Sequence, residues 1–309
     1  MQQSLAYRLS YGSLMLAGLF VILYLDLRIE HWTAGMLPST GGRHGLGGVG
    51  IFLLLLLVMP QGTQELATLF SAESVRPYRF LAATGSGVLV LHAFLTQFNW
   101  FQPIAASALA FALVLVMIVA AIRRVWGRHT HEAITHMAGT VLATMYLGGL
   151  GWFILALRVK HSSNPHGYQG STECILMILL TVKSTDIGAY AVGSLLGRHK
   201  LIPWLSPKKS WEGLVGGVAT AALVGWACVE IWPRELATLN GVTGAIMGAI
   251  LGLVGTAGDL LESLMKRDAN VKDSGHLIPG FGGVLDVIDS PLLAAPVAYL
   301  LFSLSGTHF

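Results

Sequence analysis

Nine apolar segments, at 10–27, 45–60, 80–97, 103–122, 136–157, 173–193, 213–232, 240–258 and 283–303, run almost end to end along this chain. Each is long enough, or nearly so, to cross about 30 Å of hydrocarbon. Charged residues make up only 11% of the sequence, against about 25% in soluble domains. In lipid the backbone must satisfy its own polar groups, and a helix does so within one segment. The fold class is therefore all-α: a polytopic integral membrane protein of about nine transmembrane helices. Segment 62–75, "GTQELATLFSAESV", has apolar residues at helical spacing among polar ones and predicts an interfacial helix. Arg8 precedes the first apolar run and no A-x-A-like site follows it, so an uncleaved first span is expected. The glycine-rich stretch 38–48 reads as a turn, without the surroundings of a Walker loop.

Lys and Arg fall unevenly between the two sides. Thirteen lie on one side: Arg8, Arg76, Arg79, Arg123, Arg124, Arg128, Arg198, Lys200, Lys208, Lys209, Lys266, Arg267 and Lys272. Five lie on the other: Arg28, Arg43, Arg158, Lys160 and Arg234. The positive-inside bias then places the N-terminus in the cytoplasm. Two charged loops, 194–212 and 259–282, fall on that same side. The expected organisation is an N-terminal transmembrane region, 1–170, and a C-terminal catalytic region, 171–309, that carries both loops.

Several classes are excluded. The net charge of +3 is small and no basic stripe with aromatics is present, so nucleic acid is not a partner. Cys174 and Cys228 sit in apolar stretches and read as buried thiols. His129, His131 and His136 cluster at a span boundary and read as interfacial, while His92 and His166 point to nothing specific.

Charge is instead concentrated in "SLMKRDANVKDSGHLIPGFGGVLDVIDS", residues 263–290. Asp286 and Asp289 open an apolar span, where a charge costs about 2.5–3.5 kcal/mol on insertion scales. They are i and i+3, so they share a helix face; Asp259, Ser263 and Lys266 follow i, i+4, i+7 and share another. Three carboxylates, Asp259, Asp286 and Asp289, can therefore converge as oxygen ligands for a hard cation such as Mg²⁺. Lys266, Arg267 and Lys272 suit phosphate oxygens. A solvated, salt-bridged loop accounts for these three cations but not for acids inside an apolar span. Upstream, "LIPWLSPKKSWEG" offers Lys208, Lys209 and Ser210, held by Pro203 and Pro207. Lys183 and Asp186 lie three apart within a span, as a local ion pair or as part of a polar site. Acid and base beside Gly-rich turns point to metal-assisted phosphoryl or nucleotidyl chemistry.

These pieces resemble the phosphatidate cytidylyltransferase, or CDP-diacylglycerol synthase, family. Its C-terminal motif has the form S-x-x-K-R-x4-K-D, then Pro-Gly, His-Gly-Gly and D-R-x-D. Here Ser263, Lys266, Arg267, Lys272, Asp273, Pro279, Gly280, Gly282, Gly283, Asp286 and Asp289 match. Asp186 with Ala189-Tyr190 and Gly193, "SPKKSWEG" at 206–213 and Gly258-Asp259 are similar to the family's upstream motifs. Two positions depart: Phe281 stands for the family's His and Val287 for its Arg. The resemblance implies transfer of a cytidylyl group from CTP to phosphatidic acid, giving CDP-diacylglycerol and pyrophosphate in phospholipid biosynthesis. It implies Mg²⁺, with a second cation left open, and a homodimer in a bacterial-type inner membrane with its active site toward the cytoplasm. On this reading Asp259, Asp286 and Asp289 hold the metal. Ser263, Lys266 and Arg267 serve catalysis. Asp186, Lys208, Lys209, Ser210, Lys272 and Asp273 bind substrate. The alternatives are a CTP-dependent kinase of polyprenol-type lipid alcohols, an intramembrane ion or solute transporter, or a weak homologue with a scaffold role.

Overall fold

A computed structural model of the chain describes residues 2–36, 45–128, 130–160, 171–234 and 236–305. Positions 38–44 of the glycine-rich stretch, His129 and His166 lie outside the described residues. In chain order the elements are α1 (Gln2–Thr33), α2 (Val49–Ser71), α3 (Arg79–Leu95), α4 (Gln102–Trp126), α5 (Ala133–Thr144), a π-helical turn (Met145–Gly149) and α6 (Leu150–Val159). There follow α7 (Thr172–Leu196), β1 (Lys200–Ile202), β2 (Ser206–Ser210), α8 (Trp211–Ile231), α9 (Gly241–Asp268) and α10 (Leu285–Ser305). Among the described residues, eight helices are long and apolar enough to cross a membrane, α5 through α6 counting as one. The apolar α3 is shorter, at 17 residues. The chain is an integral, polytopic, helical membrane protein.

Two expectations need correction. The interfacial helix at 62–75 is not separate. Helix α2 runs without a break through Pro60 to Ser71. Pro60 forfeits one backbone hydrogen bond, which membrane helices tolerate where neighbours pack around them. The periodicity was real, but its apolar face packs inward: Gly62, Thr63, Glu65, Leu66, Ala67 and Leu69 are all buried, while Gln64 and Thr68 are exposed. The loop expected at 259–282 starts later, because α9 continues to Asp268. Hydropathy falls at Asp259, but helical geometry does not end there. Lys266 and Arg267 occupy the last turn, where the helix dipole favours cations.

The chain packs as two compact units. The first joins Met1–Val159 to the stretch Asp268–Val287, so the charged loop groups with the N-terminal helices. Its interior includes Leu55, Met59, Leu66, Leu89, Leu147 and Leu155. Arg158 is fully buried there and bonds Asp26 at 2.8 Å and Glu30 at 2.5 Å. Asp26 also accepts from the backbone of Gly48 and Gly50 at the start of α2.

The second unit joins Lys160–Arg267 to Ile288–Phe309. Its helices approach through small residues, as membrane interfaces commonly do. A Cβ on Gly248 of α9 would lie 2.3 Å from the carbonyl oxygen of Ala221 on α8. One on Gly217 of α8 would lie 2.7 Å from the carbonyl oxygen of Thr185 on α7. Backbone cannot yield as a side-chain tip can, so Gly248→Val is expected to cost about 1–3 kcal/mol. Thermal unfolding in detergent checks this; an unchanged melting temperature would contradict the close α8–α9 crossing.

Candidate active site

The site in the second unit starts from a glycine. A Cβ on Gly258 of α9 would meet the Asp289 carbonyl and the Ser290 Cα of α10, both at 3.1 Å. Its hydrogen lets the two helices close, and the next residue, Asp259, faces the same region. One turn on is Glu262. Suitable ligand atoms of Asp259, Glu262 and Asp289 all lie within 4.8 Å of one another. Glu262 and Asp289 are buried, at 1% and 4% exposure. Carboxylates grouped this closely, two of them buried, could hold a cation.

Two lysines neutralise part of this charge. Lys266 bonds Glu262 at 3.1 Å along α9, as i and i+4 allow. Lys209 reaches Asp259 at 2.5 Å. It is delivered by the hairpin, in which β2 pairs antiparallel with β1. The hairpin ends in Ser210, whose hydroxyl oxygen accepts from the Gly213 backbone at 3.1 Å and caps α8. Gly193, Gly197 and Gly213 crowd that hydroxyl, each leaving room only for hydrogen: a Cβ would come within 3.1, 2.7 and 3.0 Å. Ser210 thus fixes where the lysine strand meets the helix, and its O–H remains able to donate.

The other expected residues of this unit distribute as follows. Asp186 on α7 lies within electrostatic reach of Lys183, Asp259 and Lys209. Ser263 is half-buried on α9, one turn past Asp259. Arg267 makes a long contact, 3.5 Å, with the Leu205 carbonyl of the hairpin. Lys208 is exposed.

Asp286, Lys272 and Asp273 belong to the first unit. Asp286 Oδ2 accepts from the Ser274 backbone at 3.0 Å, the Ser274 hydroxyl at 2.9 Å and the Gly283 backbone at 2.7 Å. The turn "PGFGG" supplies the curvature, with Gly280 and Gly282 at φ of 84° and 102°. Lys272 and Asp273 are exposed on this loop. Phe281 is exposed at the tip and stands over Gly12 of α1, where a Cβ would meet its ring at 3.1 Å. Val287 follows in the first turn of α10, its N–H bonded to the Val284 carbonyl.

Of the three carboxylates expected to bind metal, Asp259 and Asp289 are brought together, and their third neighbour is Glu262. Asp286 has partners of its own on the loop. Sequence reasoning missed Glu262, although it is i+3 from Asp259, the same spacing that linked Asp286 to Asp289. It also missed Glu65, buried on α2. The Glu65 carboxylate accepts from Val284 N at 3.0 Å, Leu285 N at 2.9 Å and the Ser274 hydroxyl at 3.1 Å.

Two helices long and apolar enough to span a membrane thus bring together an acidic cluster flanked by lysines, a donor set that could hold a hard cation. The chain matches the model of the cytidylyltransferase family over residues 28–305 and belongs to that family. It is 31% identical over 277 residues to a phosphatidate cytidylyltransferase of Synechocystis sp., covering 82% of this chain and 88% of that protein. It is 31% identical over 227 residues to a phosphatidate cytidylyltransferase of Rickettsia bellii, covering 72% and 89%. Over a shorter stretch of 144 residues it is 40% identical to that of Haemophilus influenzae, covering 46% and 49%.

Proposed function

We propose that this chain transfers the cytidylyl group of CTP to phosphatidic acid, releasing pyrophosphate and leaving CDP-diacylglycerol in the membrane. The observation that carries this reading is the cluster of Asp259, Glu262 and Asp289 with Lys209 and Lys266 in contact. Membership of the cytidylyltransferase family, and the names of relatives matched along most of their length, support the choice of substrates.

The donor set fits Mg²⁺. It consists of carboxylate oxygens only, closely grouped, and two of its members are buried. Asp259, Glu262 and Asp289 would hold the ion. When bound, it supplies charge neutralisation and polarisation at the nucleotide phosphates.

In the reaction a phosphate oxygen of phosphatidic acid bonds to the α-phosphorus of CTP. The bond from that phosphorus to the bridging oxygen breaks, and pyrophosphate leaves with the electron pair. The phosphomonoester is already largely ionised near neutral pH, its second pKa being about 6 by analogy with phosphorylated side chains. No strong base is needed, so the protein's work is positioning and charge neutralisation. Lys209 and Lys266 exchange their carboxylate partners for phosphate oxygens. Lys208 and Arg267 add positive charge for the triphosphate and the leaving group. Ser263 and Ser210 donate hydrogen bonds, while Asp186 shapes the site. Asp286 contributes by holding the Ser274–Gly283 turn.

The excess of Lys and Arg on one side supports a cytoplasmic face for the site, and the bacterial relatives support a bacterial-type inner membrane as its location. The homodimer rests on the resemblance alone, and native mass spectrometry from detergent tests it. The reaction is tested with purified protein, CTP and phosphatidic acid, following CDP-diacylglycerol by mass spectrometry. EDTA is expected to abolish the product and excess Mg²⁺ to restore it. Product formation that ignores EDTA would remove the metal from this account.

A further inference from the structure

We propose that Glu65, on a helix remote in sequence from the motifs, is a positioning residue for the motif loop; this rests on the function proposed above. Glu65 lies on α2, inside a segment long enough to span the membrane, and is 5% exposed. A carboxylate so placed is costly unless every lone pair is used. Both of its oxygens are used, and all by the loop. Oε1 accepts from Val284 N; Oε2 accepts from Leu285 N and the Ser274 hydroxyl.

These partners are not incidental. Val284 and Leu285 lie where α10 begins, and the first N–H groups of a helix lack partners within it. Their acceptor here comes from a helix some 220 residues earlier. The loop also wraps the carboxylate closely. A Cβ on Gly275 would lie 2.7 Å from Glu65 Oε1, and one on Gly283 would lie 2.4 Å from Oε2. Gly275 of the loop thus makes room for Glu65, and Gly283 of the motif for Glu65 and the Ser274 hydroxyl together. Ser274 is shared: its hydroxyl is 3.1 Å from Glu65 and 2.9 Å from Asp286. Glu65, Ser274 and Asp286 therefore form one network that fixes the loop carrying Lys272 and Asp273. The same network fixes the start of the helix whose next turn carries Asp289.

A helix cap alone would affect stability. A positioning residue also changes how well the site binds. The test uses the full-length protein with Glu65→Gln. Glutamine keeps the shape but offers one acceptor oxygen where two are needed, and turns an N–H toward other donors. Without substrates, the backbone amides of 274–286 are expected to exchange hydrogen at least tenfold faster. With CTP and phosphatidic acid, kcat is expected to fall on the order of 10–100-fold, the range for groups that orient metal ligands. The half-activating Mg²⁺ concentration and the KM for CTP should rise severalfold. A variant with less folded enzyme but unchanged Mg²⁺ and CTP constants would overturn the proposal. If Glu65→Gln does not fold, Ser274→Ala decides, since it keeps both backbone contacts. A raised Mg²⁺ requirement supports the proposal and unchanged constants overturn it. A wild-type protein that makes no CDP-diacylglycerol defeats the proposed function instead, while faster loop exchange in Glu65→Gln would still report the clamp.

Discussion

Asp289→Asn is expected to slow cytidylyl transfer roughly 10³-fold without loss of folded protein. Asparagine is isosteric, and its Oδ1 can keep the bond donated by the Ser290 hydroxyl at 3.2 Å. What it removes is one negative charge from a cluster of three carboxylates. If metal binding at the phosphates supplies several kcal/mol, losing about 4 of them corresponds to about a thousandfold, at about 1.4 kcal/mol per factor of ten. Stability should move the other way or not at all. Asp289 is buried beside the like charge of Asp259, and neutralising one of the two relieves repulsion. Functional sites commonly hold such conflicts. Steady-state rates and thermal unfolding on the same preparation check both halves. Near wild-type turnover would remove Asp289 from the metal site.

Arg158→Met is expected to be the most damaging substitution for the fold. Arg158 and Asp26 are both fully buried, and Glu30 closes the triad at 2.5 Å. Removing the cation leaves two carboxylates without compensation, which costs about 3–5 kcal/mol when a buried pair is broken from one side. Part of the anchoring of α2 goes with it, because Asp26 also holds the Gly48 and Gly50 amides. Adding Asp26→Asn and Glu30→Gln to Arg158→Met should recover much of the loss. Melting temperatures of the single and triple variants in detergent check this. A single variant as stable as wild type would mean the triad is not buried as described.

The spans were legible because lipid leaves the backbone little choice, and apolar length registers that directly. The failures came where hydropathy and helix geometry part company. Asp259 ended an apolar run without ending α9, and Gln61 and Gln64 gave the second half of α2 the look of an interfacial helix. That misreading hid Glu65, which would otherwise have stood out as a carboxylate at membrane depth. Glu262 was hidden differently: it lay beside residues already assigned to the motif, and the i+3 rule was applied to one aspartate pair and not to the other. Arg158 counted as an ordinary loop charge in the topology, although it is buried in an ion triad. The pairing of Asp259 with Asp289 depends on Gly258, whose role is visible only once α10 lies against it. Lys209 depends on a hairpin of three and five residues, too short for periodicity to reveal.

Cytidylyl transfer to a lipid phosphate at the Asp259–Glu262–Asp289 cluster can be followed with CTP carrying one label in the cytosine ring and another in the γ-phosphate. Purified protein is incubated with phosphatidic acid and Mg²⁺, and with a lipid alcohol in a parallel arm. The account predicts ring label in lipid, γ-label in pyrophosphate, and neither with Asp289→Asn. γ-Label in the lipid alcohol, with no ring label in lipid from a folded protein, would contradict it and make the chain a lipid kinase.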